Sequence, residues 1–237
     1  MRNRSPLASV GRLALTGLGL AAAAYAGYAA LTWLRYGQVR PTGAGGRDAL
    51  LDQFMPSYDV VERHHIRVEA PAATTLSAAK DMDLSDSPLV RAIFAARDML
   101  LRASADDRPQ PRGILAQTKA LGWGVLADVA DREIVMGAVT KPWEANVTFH
   151  ALPPDRFAAF QQPGFVKIAW TLRADPLADG ASLFRTETRA IATDADARRR
   201  FRRYWAAFSP GITLIRWSML KPVREEAERR AGDSDRR

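Results

Sequence analysis

The sequence predicts an α+β fold in which an antiparallel sheet of about seven strands packs on a long C-terminal helix. Three observations predict it. Residues 123–192 fall into short runs rich in β-branched and aromatic residues, cut by Pro, Gly and Asp. Within those runs apolar and polar side chains alternate, the period of a strand with one buried face. After the last run Phe201, Tyr204, Trp205 and Phe208 recur at i, i+3, i+4 and i+7, the stripe of an amphipathic helix.

Taken in order, the domain opens with a strand over 58–69. Its even positions are Val60, Glu62, His64, Ile66 and Val68; its odd positions include Arg63, His65 and Arg67. His64 therefore shares a face with the apolar residues and His65 does not. Ala70 and Pro71 break the strand, and 72–83 reads as a short helix. Ser87 followed by Pro88 is an N-cap with Pro at the first helical position, starting a helix to about Arg102. A polar loop, 104–112, leads to 113–119, read as a further strand before 123–129 and 133–141. The run 145–151 turns Val147 and Phe149 inward. The run 165–173 turns in Val166, Ile168, Trp170 and Leu172, and 182–192 turns in Phe184, Thr186, Thr188 and Ala190. Arg185, Glu187 and Arg189 then form a solvated face. A hydroxyl on the buried face needs a partner, from the chain or from a ligand. Past Asp194 the helix is expected to be interrupted at Ser209, Pro210 and Gly211 and kinked at Pro222, leaving 231–237 as a disordered tail.

The N-terminal segment reads differently. The run that opens at Leu13 and closes at Leu34 carries no charge over 22 residues, close to the roughly 20 that span a bilayer. Tyr25, Tyr28 and Trp33 cluster toward one end, where interfacial aromatics belong. The leading expectation is a retained single-pass anchor in a membrane. A signal peptide cleaved near Ala24-Tyr25-Ala26 and a buried helix are the alternatives. Arg flanks both ends, so charge sets no orientation. The expected organisation is a tail and transmembrane helix over 1–37, a Gly- and Pro-bearing flexible linker over 38–56, and one domain over 57–230.

Composition excludes much chemistry. With 237 residues and no Cys there is no disulfide, thiolate nucleophile or Cys-ligated metal. Three His, two of them adjacent on opposite strand faces, do not make a zinc site. No Gly-rich phosphate loop, nucleophile elbow or His-Glu-x-x-His is present. No catalytic residue, metal or cofactor is assigned. The net charge is +8, and the basic run 198–203, from Arg198 to Arg203, is a candidate contact for anionic lipid headgroups. No helix-turn-helix or zinc finger supports nucleic-acid binding.

The strand at His65 and Glu69 running into Ala70-Pro71 and a helix, the sheet over 113–192, and the helix from Asp194 together resemble the START-like, or SRPBCC, helix-grip superfamily, including its polyketide cyclase-like bacterial members. The resemblance implies a curved antiparallel sheet gripping the long helix, with lipids, sterols, polyketides or other apolar molecules held between them. By alternation, the ligand-binding candidates are His64, Ile66, Phe149, Trp170, Phe184, Thr186 and Thr188 from the sheet, with Phe201, Trp205 and Phe208 from the helix. Three functions follow as expectations: a membrane-anchored carrier of an apolar molecule or lipid, a cyclase- or aromatase-like enzyme using Glu62 and His64 as an acid–base pair, and a non-catalytic interaction protein with a filled interior.

Overall fold

The computed structural model describes residues 6–38, 47–104, 111–234 and 236. Its elements are α1 (Pro6–Arg35), α2 (Ala49–Phe54), β1 (Val60–Val68), α3 (Ala72–Asp81), α4 (Pro88–Leu101), α5 (Ile114–Ala120), β2 (Gly124–Val129), β3 (Glu133–Thr140), β4 (Phe149–His150), α6 (Pro154–Ala159), β5 (Val166–Pro176), β6 (Ser182–Ala192) and α7 (Ala195–Ser234). The strands form one antiparallel sheet in the order β1-β6-β5-β3-β2, with β4 paired to β3.

Among the described residues there are six strands rather than the expected seven. The stretch expected as a strand over 113–119 is α5, whose buried Ile114, Gln117 and Thr118 fall at helical spacing. Gly113 enters this helix at φ +85°, a conformation that favours glycine. The start of α4 is as expected: the Ser87 hydroxyl accepts from the Val90 amide and Pro88 occupies the first turn. The long C-terminal helix is present but unbroken. It runs 40 residues through Pro210 and Pro222 and continues to Ser234. Each Pro removes one helical hydrogen bond. Burial of Phe201 and Trp205 on one side, and of Met219, Leu220 and Val223 on the other, holds the axis together.

The transmembrane anchor and the membrane localisation drawn from it are corrected. Among the described residues no helix is long and apolar enough to cross a membrane. The uncharged run is diluted by Gly17, Gly19, Gly27 and four consecutive alanines. The C-terminal part of α1 lies instead along α7. The Tyr25 hydroxyl donates to the Ala207 carbonyl, and Arg202 donates to the Trp33 carbonyl at 2.7 and 2.9 Å with its guanidinium 4.2 Å from the Trp33 ring. Residues 39–46 of the expected linker lie outside the described residues, as do 105–110 of the polar loop.

The sheet is also covered on both faces. One face meets α3 and α7 through Met136, Trp170, Leu172, Phe184, Met219 and Val223. The other meets α2 and α6 through Leu51, Met55, Val135, Phe157 and Ala169. The odd positions of β6, expected in solvent, lie under α2: Arg189 is 2% exposed and Glu187 6%. Arg189 donates to Glu187 at 2.7 Å, to Asp52 at 2.6 Å and to the Met55 carbonyl at 2.7 Å, over the Tyr58 ring. A charge survives there because every face of the guanidinium has a partner.

Candidate functional site

The face of the sheet toward α7 is closed at its ends and half-open in its middle. On β1, Val60 and Val68 are buried, whereas Glu62, His64 and Ile66 between them keep accessible surface. On α7, Phe201 and Trp205 are buried at one end and Met219 and Leu220 at the other, while 210–218 between them keep accessible surface. The two half-open stretches belong to elements that pack on each other.

The strand register gathers polar groups in that middle. His64 pairs across to Thr186 and Glu62 to Thr188; Thr188 pairs on its other side with Trp170. Directly opposed residues share a face, with Cβ atoms about 5 Å apart. Glu62 Oε2 lies 3.6 Å from His64 Nε2, within ion-pair reach and beyond a hydrogen bond. From α7, Ser209, Thr213 and Arg216 fall at i, i+4 and i+7, one face of the helix. The Arg216 guanidinium sits 5.1 Å from the Trp170 ring centroid.

These groups are poorly satisfied. His64 Nε2 and the hydroxyls of Thr186, Thr188, Ser209 and Thr213 are buried with no hydrogen-bond partner among the described residues. A buried polar group left unpaired costs roughly 1–3 kcal/mol. Arg216 keeps some accessible surface, but burial lowers its pKa to about 10, and no carboxylate of the described residues lies within ion-pair distance to offset that. It remains charged at neutral pH.

Apolar groups flank this polar centre on both sides. Val60, Val166, Ala190, Phe201 and Trp205 form one cluster; Met136, Trp170, Leu172, Phe184 and Met219 belong to another. An aromatic series leads outward from Arg216: Trp170 to Trp123 at 6.3 Å, then Trp123 to Phe149 at 4.9 Å. The structure thus brings together His64, Thr186, Thr188 and Trp170. Ile66 lies alongside, opposite Phe184, which is fully buried core. Phe201 and Trp205 sit in the neighbouring cluster, and Phe208 stacks on Tyr204 at 4.9 Å. Phe149 is at the far sheet edge. Sequence reasoning missed Ser209, Thr213 and Arg216. Their signal was present as three polar residues at helical spacing inside an apolar stretch.

Other features are separate. A cleft of 290 Å³ is lined by Glu69, Pro71, Asp179 and Ser234, and one of 710 Å³ by Asp81, Leu84, Ser87, Met219 and Arg230; neither reaches His64 or Arg216. In the basic run, Arg198 pairs with buried Asp59 at 2.6 Å, Arg199 with Asp196, and Arg202 with Trp33. Three of the five arginines in that run are thus engaged within the chain.

No family model matches the chain, and no curated protein matches it. Among solved structures it is similar to a hypothetical protein from Helicobacter pylori, at 8% identity over 80% of this chain and 99% of that one, with a TM-score of 0.39. It is also similar to Ara h 8.0201 (9% identity, 71% and 97% covered, TM-score 0.26) and to the Zhui aromatase/cyclase from a Streptomyces species (12%, 72% and 94%, TM-score 0.23).

Proposed function

We propose that this chain is a binding domain for an apolar small molecule or lipid, held between the sheet and α7. One observation carries the reading: buried, unpartnered polar groups from β1, β6 and α7 converge in the middle of the sheet–helix contact, with an apolar cluster on either side. A fold that only needed to close its core gains nothing from such a layer, because each unpaired group destabilises it. A ligand with a polar end and an apolar body satisfies the centre and extends along the clusters, the usual composition of a small-molecule site. The test is native mass spectrometry of the full chain purified from cells, followed by extraction of whatever accompanies it. A co-purified apolar molecule, released by denaturation and displaced by added fatty acid, is the expected result. A bare mass together with no uptake of a fluorescent fatty acid sinks the reading.

A second reading, acid–base catalysis, is favoured by the Glu62–His64 pair facing Thr188 and Thr186. It predicts that an aromatic β-ketone probe exchanges its α-protons in the presence of the protein. His64→Gln would abolish that exchange, and an exchange rate no faster than in buffer removes the reading.

A further inference from the structure

The binding reading above leaves the chemistry of the ligand's polar end open, and the structure narrows it. We infer that the site takes an organic monoanion, a carboxylic acid with an apolar body, whose carboxylate is held by Arg216 with hydroxyl donors drawn from among Thr213, Ser209, Thr186 and Thr188.

Three observations converge. Arg216 is the cation in the polar centre that lacks a counter-charge: no carboxylate of the described residues lies within ion-pair distance, and its near neighbour is the Trp170 ring. By contrast, on the other side of the sheet the buried Arg189 is matched by Glu187 and Asp52. A guanidinium largely removed from water without an anion is destabilising, and the cation–π contact offsets only part of that. The second observation is the hydroxyls. Thr186, Thr188 and Ser209 are at least nine-tenths buried and have no partner among the described residues, which leaves their O–H groups to donate. A planar fork with hydroxyl donors beside it matches the two oxygens of a carboxylate, and charge-assisted bonds of this kind are the strong ones. The third is charge count. One guanidinium neutralises one negative charge. A phosphate dianion would leave one negative charge unmatched by the guanidinium, so the monoanion fits and the dianion does not. The apolar clusters on either side then set the body of the ligand, an aliphatic chain or an aromatic ring system.

The test separates the anion from the binding. The full chain is titrated calorimetrically with two matched pairs, dodecanoic acid against dodecanol and naphthoic acid against naphthalenemethanol. The expected result is that at least one acid binds roughly ten- to a hundredfold more tightly than its alcohol. Arg216→Met removes that preference while alcohol binding persists, and Arg216→Lys keeps part of it. Equal affinity for acid and alcohol in the wild type overturns the anion assignment and leaves the binding domain standing. Failure of all four to bind overturns the binding reading itself. A readout free of ligand runs beside these. Met keeps the packing on Trp170 and removes an unmatched charge, so Arg216→Met is expected to raise Tm. A lowered Tm overturns the view that Arg216 lacks a structural counter-charge.

Discussion

Glu133 begins β3, is 3% exposed, and has one carboxylate oxygen without a partner. Burial first, then a hydrogen bond and repulsion from Asp48, push its pKa up to about 8, and the charge of Arg173 only partly opposes this. The unfolded chain titrates this group near 4.3. Between those values the folded state holds a proton that the unfolded state has released, so stability falls as pH rises through the window and levels off above about 8. Thermal melts from about pH 5 to pH 9 should show Tm declining across that range, and Glu133→Gln should flatten the decline and lift Tm by roughly 3–6 °C at the alkaline end. Parallel wild-type and variant profiles would show that Asp48 and Glu133 do not share a proton. Gly122 offers a second residue-level test. It holds φ +101°, and a Cβ there would overlap the Phe149 carbonyl oxygen, which is backbone and has nowhere to go. Gly122→Ala is therefore expected to cost about 2 kcal/mol or more, read as a lowered denaturant midpoint. It should also perturb the fluorescence of the adjacent Trp123, whose ring lies tilted against Phe149 at 4.9 Å.

At the scale of elements, β6 ties the molecule together because both its faces are committed. Its even residues Thr186 and Thr188 face α7, and its odd residues Glu187 and Arg189 anchor α2. Arg189→Met leaves Glu187 buried with Arg63 as its remaining partner, at 3.0 Å, leaves Asp52 with the exposed Arg47 alone, and removes the donor to the Met55 carbonyl. The expected loss is roughly 3–5 kcal/mol, seen in denaturant unfolding, with α2 losing amide protection ahead of the sheet. This element also shows what the sequence could and could not tell. Alternation placed His64, Thr186, Thr188 and Trp170 on one face, and the register agrees, because a period of two survives whatever covers the sheet. Alternation could not reveal that the other face is covered. Over β6 the cover is α2, six residues long, sitting in a stretch whose local composition reads as a linker. Likewise 113–119 is too short to separate strand from helix by period alone. The uncharged run at 13–34 matched a bilayer in length, whereas its glycines and alanines and its contacts with α7 decided otherwise.

Across the whole molecule, two apolar clusters meet at a polar layer whose buried groups lack partners among the described residues. The half that comes from the strands was legible; the helical spacing of Ser209, Thr213 and Arg216 was also in the sequence, but it joins them to one face only because the helix continues unbroken through Pro210. The arrangement has a thermodynamic consequence. The interior pays for its unpaired groups in the free protein, and a ligand that pairs them stabilises the native state by mass action, about 2.7 kcal/mol at a concentration a hundredfold above Kd. For a chain of this size that corresponds to roughly 5–10 °C in Tm. The gain should not be uniform. Hydrogen exchange with and without a bound carboxylic acid should slow in the middle of β1, along β6 around Thr186, and in α7 between Ser209 and Arg216. The β2–β3 end and the α2–α6 layer should exchange at unchanged rates. Slowing spread evenly over the sheet, or concentrated at the clefts beside Asp179 or Arg230, would place the ligand elsewhere. The polar layer would then be the cost of some other constraint on α7.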